Sequence, residues 1–100
     1  MIKIFNMHNR KISKKDVCYV GRPSVLGNPF IIGKDGTRFQ VIDKYRKWLN
    51  KKLQTDKKVK AHFDILKDKY LQTGRLYLYC WCKPRLCHAD VIANAILEMV

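Results

Sequence analysis

The sequence predicts a single α/β domain over residues 1-100: a small, partly parallel three-stranded sheet with three helices packed on it, in the order β-β-α-α-β-α. Three observations lead there. Residues 1–7, 17–20 and 75–81 are short alternating, β-branched or aromatic runs of strand character. Apolar residues recur at spacings of three and four in three later segments, the mark of amphipathic helices. A helical crossover between the second and third strands makes that pair parallel and right-handed.

The elements follow in chain order. Ile2 and Ile4 alternate with Lys3 and Phe5 in the first strand, and a polar, basic turn over 8–16 leads to Val17-Cys18-Tyr19-Val20, ended by Gly21. Arg22-Pro23-Ser24-Val25-Leu26-Gly27-Asn28-Pro29 is an irregular loop whose prolines fix φ and whose glycines free the backbone. Phe30 to Ile32 is expected as a brief extended segment before a Gly33-Lys34-Asp35-Gly36 turn. Thr37-Arg38-Phe39-Gln40 has the form of a capping box and opens a helix that aligns Phe39, Ile42, Tyr45, Leu49 and Leu53. Tyr45 and Trp48 are expected in the core, whereas Lys44, Lys47, Lys51 and Lys52 cover the polar side. A second helix from about Lys58 to Leu71 aligns Val59, Phe63, Leu66 and Tyr70, with Gly74 as its stop. Both faces of Arg75 to Trp81 are apolar, which predicts a central strand covered on both sides. A last helix from His88 or Ala89 to Met99 buries Val91, Ile92, Ala95, Ile96 and Met99.

Length and composition exclude several classes. One hundred residues support one domain and not two, and a hydrophobic share of 47% excludes wholesale disorder. The longest apolar run, the seven residues Leu76 to Cys82, is far too short to span a membrane. Lys3, His8, Arg10 and Lys11 interrupt the N-terminal stretch an export signal would need, so a soluble, cytoplasmic protein with reduced thiols is expected. Twenty-one Lys and Arg against eight Asp and Glu give a net charge of +13, of which residues 1–60 carry +12. Such a field attracts polyanions, although lysine-rich helices also serve solubility alone.

The loops after the second and third strands both leave the carboxyl edge of the sheet, where open α/β sheets bind ligands and helix N-termini present their amides. In the first loop, Arg22 offers a planar donor fork for phosphate or carboxylate, with the Ser24 hydroxyl and the Asn28 carboxamide nearby. Asn28 either reads a base edge or ribose or forms an Asx turn against Pro29. The second loop, Cys80-Trp81-Cys82-Lys83-Pro84-Arg85-Leu86-Cys87-His88-Ala89-Asp90, has three chemical readings. Cys80, Cys82, Cys87 and His88 are four candidate zinc ligands, at a spacing unlike the usual knuckle. Cys87 near a helix N-terminus, with Lys83, Arg85 and His88 close by, is a candidate nucleophile, with His88 and Asp90 as acid/base and orienting group. Alternatively Arg85, Lys83, His88 and the helix N-terminus cradle a phosphate, with Trp81 or a tyrosine as a stacking platform for a base. A purely structural reading has the cysteines packing and His88 capping the helix. The phosphate cradle asks for the fewest special geometries and agrees with the charge.

The segments Tyr19-Val20-Gly21-Arg22-Pro23-Ser24 through Leu26-Gly27-Asn28-Pro29, Lys44-Tyr45-Arg46-Lys47-Trp48-Leu49, and Cys80-Trp81-Cys82-Lys83-Pro84 through Cys87-His88-Ala89-Asp90 resemble the motifs of a family. It is the family of small, mostly phage and bacterial proteins catalogued as domain of unknown function 4326. The resemblance spans nearly the whole chain, and it implies a phage or prophage origin without implying an activity. The family pattern usually has glycine where this chain has Ala89.

The expectation is therefore a binding protein rather than an enzyme, taking a phosphate-bearing, nucleotide-like ligand in a basic pocket formed by Arg22, Ser24, Asn28, Trp81, Arg85, Cys87 and His88. In a phage setting, such a protein would sequester or sense a host nucleotide signal. The alternatives are a nucleic-acid-binding protein that uses its lysine-rich helices, and a small enzyme acting on nucleotides through Cys87 or His88. No cofactor is expected, structural zinc being the runner-up. The partner is a small phosphate compound or a nucleic acid and not a membrane, and either a monomer or an oligomer fits the sequence.

Overall fold

Parallel pairing on both sides of one strand organises the molecule. The computed structural model describes residues 2–6, 17–22, 24–80 and 87–99. Its elements are β1 (Ile2–Asn6), β2 (Val17–Tyr19), α1 (Arg38–Thr55), α2 (Lys57–Thr73), β3 (Leu76–Cys80) and α3 (His88–Met99). The sheet order is β1-β3-β2, so β3 is the central strand, as its sequence predicts. Ile4 pairs with Leu78 and Phe5 with Tyr79 on one side, and Cys18 with Leu78 and Tyr19 with Tyr79 on the other. All three strands are parallel, so the sheet is more uniform than the partly parallel one expected.

The core lies on one face of this sheet. Leu76, Leu78 and Cys80 are buried there with Leu49, Phe63, Leu66, Ile92 and Ile96 from the three helices. On the opposite face Tyr77 and Tyr79 are half-buried and meet Phe5 edge-on, at ring-centroid distances of 5.6 and 6.3 Å. Of the two faces expected to be covered, one is buried and the other half-buried. Trp81, expected to end the strand, lies outside the described residues.

Local chemistry sets the helix limits. Thr37 Oγ1 accepts from the Gln40 amide and Gln40 Oε1 accepts from the Thr37 amide, completing the capping box read from the sequence. Asp56 closes α1 and opens α2, its carboxylate accepting from the Lys58 and Val59 amides at 2.9 and 3.3 Å. Gly74, at φ 72°, takes the left-handed conformation that stops α2, and its N–H donates to the Tyr70 carbonyl.

Three details differ from the sequence reading. Phe39 is 76% exposed, because Arg38 and Val41 hold the inward side at the start of α1 and each residue turns the helix by about 100°. Met99 is exposed and Ala95 half-buried, whereas His88, Ala89 and Ala93 join Val91, Ile92 and Ile96 on the buried side of α3. Phe30 to Ile32 form no strand. The Asp35 carboxylate accepts from the Ile31 amide and the Ile31 carbonyl accepts from the Lys34 and Asp35 amides, so the segment folds into a turn.

Candidate binding pocket at the carboxyl edge

The first loop is held in shape by its own backbone. Ser24 N–H donates to Gly21 O at 2.9 Å, Gly27 N–H to Ser24 O at 2.8 Å, and Leu26 N–H to Ser24 Oγ at 3.1 Å. A Cβ on Gly27 would sit 2.9 Å from the Ser24 carbonyl oxygen and 3.1 Å from the Arg22 backbone, so only glycine permits this winding. Leu26 is fully buried and its carbonyl accepts from the Tyr45 hydroxyl at 2.7 Å, which ties the loop to α1. Asn28 forms the Asx turn: its Oδ1 accepts from the Phe30 amide at 2.9 Å.

The second loop ends in a cap built on sulfur. Cys87 Sγ accepts from the Ala89 amide at 3.2 Å, and the Asp90 carboxylate accepts from the Cys87 amide at 3.0 Å, with Cys87 O accepting from the Asp90 amide. The pattern is a capping box with a thiol in place of the usual hydroxyl. Cys87, rather than His88, caps α3, and these three amides serve the cap. Attraction of an anion to this corner then rests on side chains more than on the helix terminus.

His88 joins the two loops. Its Nε2 lies 2.5 Å from the Val20 carbonyl oxygen, and that acceptor fixes the proton on Nε2. Nδ1 then carries a lone pair, 3.9 Å from Cys87 Sγ. The imidazole also meets the Tyr45 ring edge-on at 5.1 Å. Burial pushes the His88 pKa below its ordinary 6.5, and the Arg22 charge adds to that, against the opposing effects of the Val20 hydrogen bond and Asp90. Burial likewise raises the Tyr45 phenol, which stays protonated as a donor.

Between the loops lies a hollow of about 300 Å³. Gly21, Arg22 and Asn28 line it from the first loop and Cys87 and His88 from the second. Phe30, Ile31 and Ile32 form an apolar wall, and Arg38, Val41 and Ile42 bring in the first turns of α1. Of the residues singled out in the sequence, the hollow gathers Arg22, Asn28, Cys87 and His88. Ser24 is not on its lining and serves the turn instead. Trp81, Arg85 and Cys82 lie outside the described residues. Arg38 and the Phe30–Ile32 wall escaped the sequence reading. In the sequence Arg38 reads as part of the capping box, and its only signal is a basic residue opening a helix next to a glycine turn.

Among the described residues, Cys18, Cys80 and Cys87 form no disulfide with one another. Among the described residues, no group of three His, Cys, Asp or Glu side chains is placed to hold a metal ion. No helix among them is long and apolar enough to cross a membrane.

Fold and site together define a small parallel α/β domain with an arginine-lined pocket at the carboxyl edge of its sheet. The chain belongs to the family described as Domain of unknown function (DUF4326), whose family model matches residues 5–98. It is similar to the "Uncharacterized 12.4 kDa protein in nrdA-td intergenic region" of Enterobacteria phage T4, with 32% identity over 78 residues. That match covers 77% of this chain and 64% of the phage protein's length. No solved structure matches the chain.

Proposed function

We propose that the protein binds a phosphate-bearing, nucleotide-like ligand in this pocket. The observation that carries the reading is that two arginines, Arg22 and Arg38, line one hollow together with the apolar wall of Phe30, Ile31 and Ile32. Guanidinium forks suit phosphate oxygens, and an aromatic-aliphatic wall suits a base. A volume of about 300 Å³ lies at the small end of ligand pockets and suits a mononucleotide. Since Asn28 Oδ1 already accepts from Phe30, its Nδ2 is the group the carboxamide offers to a ribose or base edge. The proposed setting is the cytoplasm.

One observation favours a second reading, a small enzyme acting on the bound nucleotide. Cys87 Sγ and His88 Nδ1 face each other on the pocket lining, and a neutral imidazole can take a thiol proton. Native mass spectrometry of the purified protein, before and after denaturation and after incubation with nucleoside monophosphates, separates these readings. A retained nucleotide recovered with unchanged mass supports binding. A changed mass that disappears in Cys87→Ser supports the enzyme. Zinc near one equivalent and no retained nucleotide overturns both.

A further inference from the structure

One mononucleotide needs far less positive charge than this chain carries, and part of the excess lies on α1, the helix whose first residue lines the pocket. Arg38, the first residue of α1, lines the hollow. Along the exposed side of the same helix follow Lys44, Lys47 and Lys51, at spacings of three and four that align them in one stripe. Their Cα atoms cover roughly 10 Å of helix axis, at about 1.5 Å per residue. The only acid in α1 is Asp43, shared by Arg46 at 3.4 Å and Lys47 at 3.3 Å, against six basic residues in the helix. Neutralisation within α1 is therefore incomplete.

The first lysine of the stripe is tied to the pocket rim through one turn. Lys44 Nζ donates to the Asp35 carbonyl at 2.6 Å, and the Asp35 carboxylate accepts from the amide of Ile31, a pocket-wall residue. The turn over 31–35 thus bridges the hollow to the first lysine of the stripe. A chain of phosphates that begins in the pocket would pass this turn and meet the lysines in succession.

We infer that the pocket takes the terminal nucleotide of a single-stranded polynucleotide, whose next phosphates lie along Lys44, Lys47 and Lys51 of α1. This rests on the pocket reading and narrows its ligand from a free nucleotide to a strand end. The terminal phosphate meets Arg22 and Arg38, and the lysines add sequence-independent attraction that falls with salt as counterions are released.

The test is fluorescence anisotropy with 5′-phosphorylated and unphosphorylated 12-mer DNA and RNA strands, run beside calorimetry with nucleoside monophosphates. Three proteins are compared: wild type, the triple variant Lys44→Glu/Lys47→Glu/Lys51→Glu, and Arg22→Ala/Arg38→Ala. Circular dichroism confirms that each is folded. The inference expects the 12-mers to bind more tightly than monophosphates, with the triple variant losing at least about tenfold in 12-mer affinity and flattening the salt slope by about two. Its monophosphate affinity should fall far less than its 12-mer affinity. The DNA and RNA arms identify the backbone, and the phosphorylated and unphosphorylated arms identify the end. Equal affinity for monophosphates and 12-mers, or no effect of the triple variant on 12-mer binding, overturns the inference while leaving the pocket reading standing. Failure of monophosphates and 12-mers alike to bind overturns both. Tight 12-mer binding lost in the triple variant but indifferent to the arginine pair overturns the strand-end assignment and leaves simple backbone binding.

Discussion

The imidazole of His88 donates from Nε2 to the main-chain carbonyl of Val20 at 2.5 Å, across 68 residues of sequence. The bond joins the start of α3 to the chain just after β2, and so fixes the spacing of the two loops that enclose the hollow. Removing the ring by His88→Ala leaves the Val20 acceptor unpaired in a buried place and removes the edge contact with Tyr45. A loss of about 2–3 kcal/mol is expected in urea denaturation, from the unpaired acceptor and lost packing together.

The same residue gives stability a pH dependence. Because the His88 pKa is lowered from 6.5 in the fold, the unfolded chain takes up its proton first as the solution is acidified. His88 therefore favours folding above about pH 6.5, and its contribution is lost as the pH falls from there through the lower folded value. Denaturation midpoints between pH 5 and 7.5 should rise with pH in the wild type and rise less in His88→Ala. Phosphate bound beside Arg22 should bring the imidazole pKa back up, which NMR titration of the ring reads directly.

Cys87 has a structural task separable from any chemistry. Its sulfur accepts from the Ala89 amide, so Cys87→Ala should cost about 1 kcal/mol as a lost cap. Cys87→Ser restores an acceptor at the same place and should recover most of that stability. Thermal unfolding of the two variants makes the comparison.

Much of this arrangement was legible in the sequence, and its limits have physical causes. The parallel crossover follows from the helical segments between the second and third strands and β3's central position from its two apolar faces, and together they place Gly21–Pro29 and Cys87–His88 at one edge. The side chains that complete the pocket depend on details no periodicity records. Phe30, Ile31 and Ile32 line it because Asp35 folds back onto Ile31 and turns an apparent strand into a wall. Arg38 lines it because the inward side of α1 begins one residue before Phe39, a shift of helical phase at the first turn. Sulfur capping was hidden because cysteine is a weak acceptor, although Asp90 occupies the acidic position of a capping box.

That phase shift is itself testable against the loop anchor at Tyr45. Tyr45→Phe keeps the ring but removes the donor to the buried Leu26 carbonyl, and should cost about 1–2 kcal/mol in chemical denaturation. Phe39→Ser, at a position 76% exposed, should change stability by less than about 0.5 kcal/mol. A helix with Phe39 on its buried stripe would rank the two in the opposite order.

The central claim is that Arg22 and Arg38 hold a phosphate in the hollow between the loops. Isothermal titration calorimetry with the nucleoside 5′-monophosphates, on the wild type and on folded Arg22→Ala/Arg38→Ala, tests it most directly. The account predicts saturable binding of at least one of them to the wild type, weakened by about tenfold or more in the double variant. Absence of binding to the wild type, or the same affinity without both arginines, would contradict it.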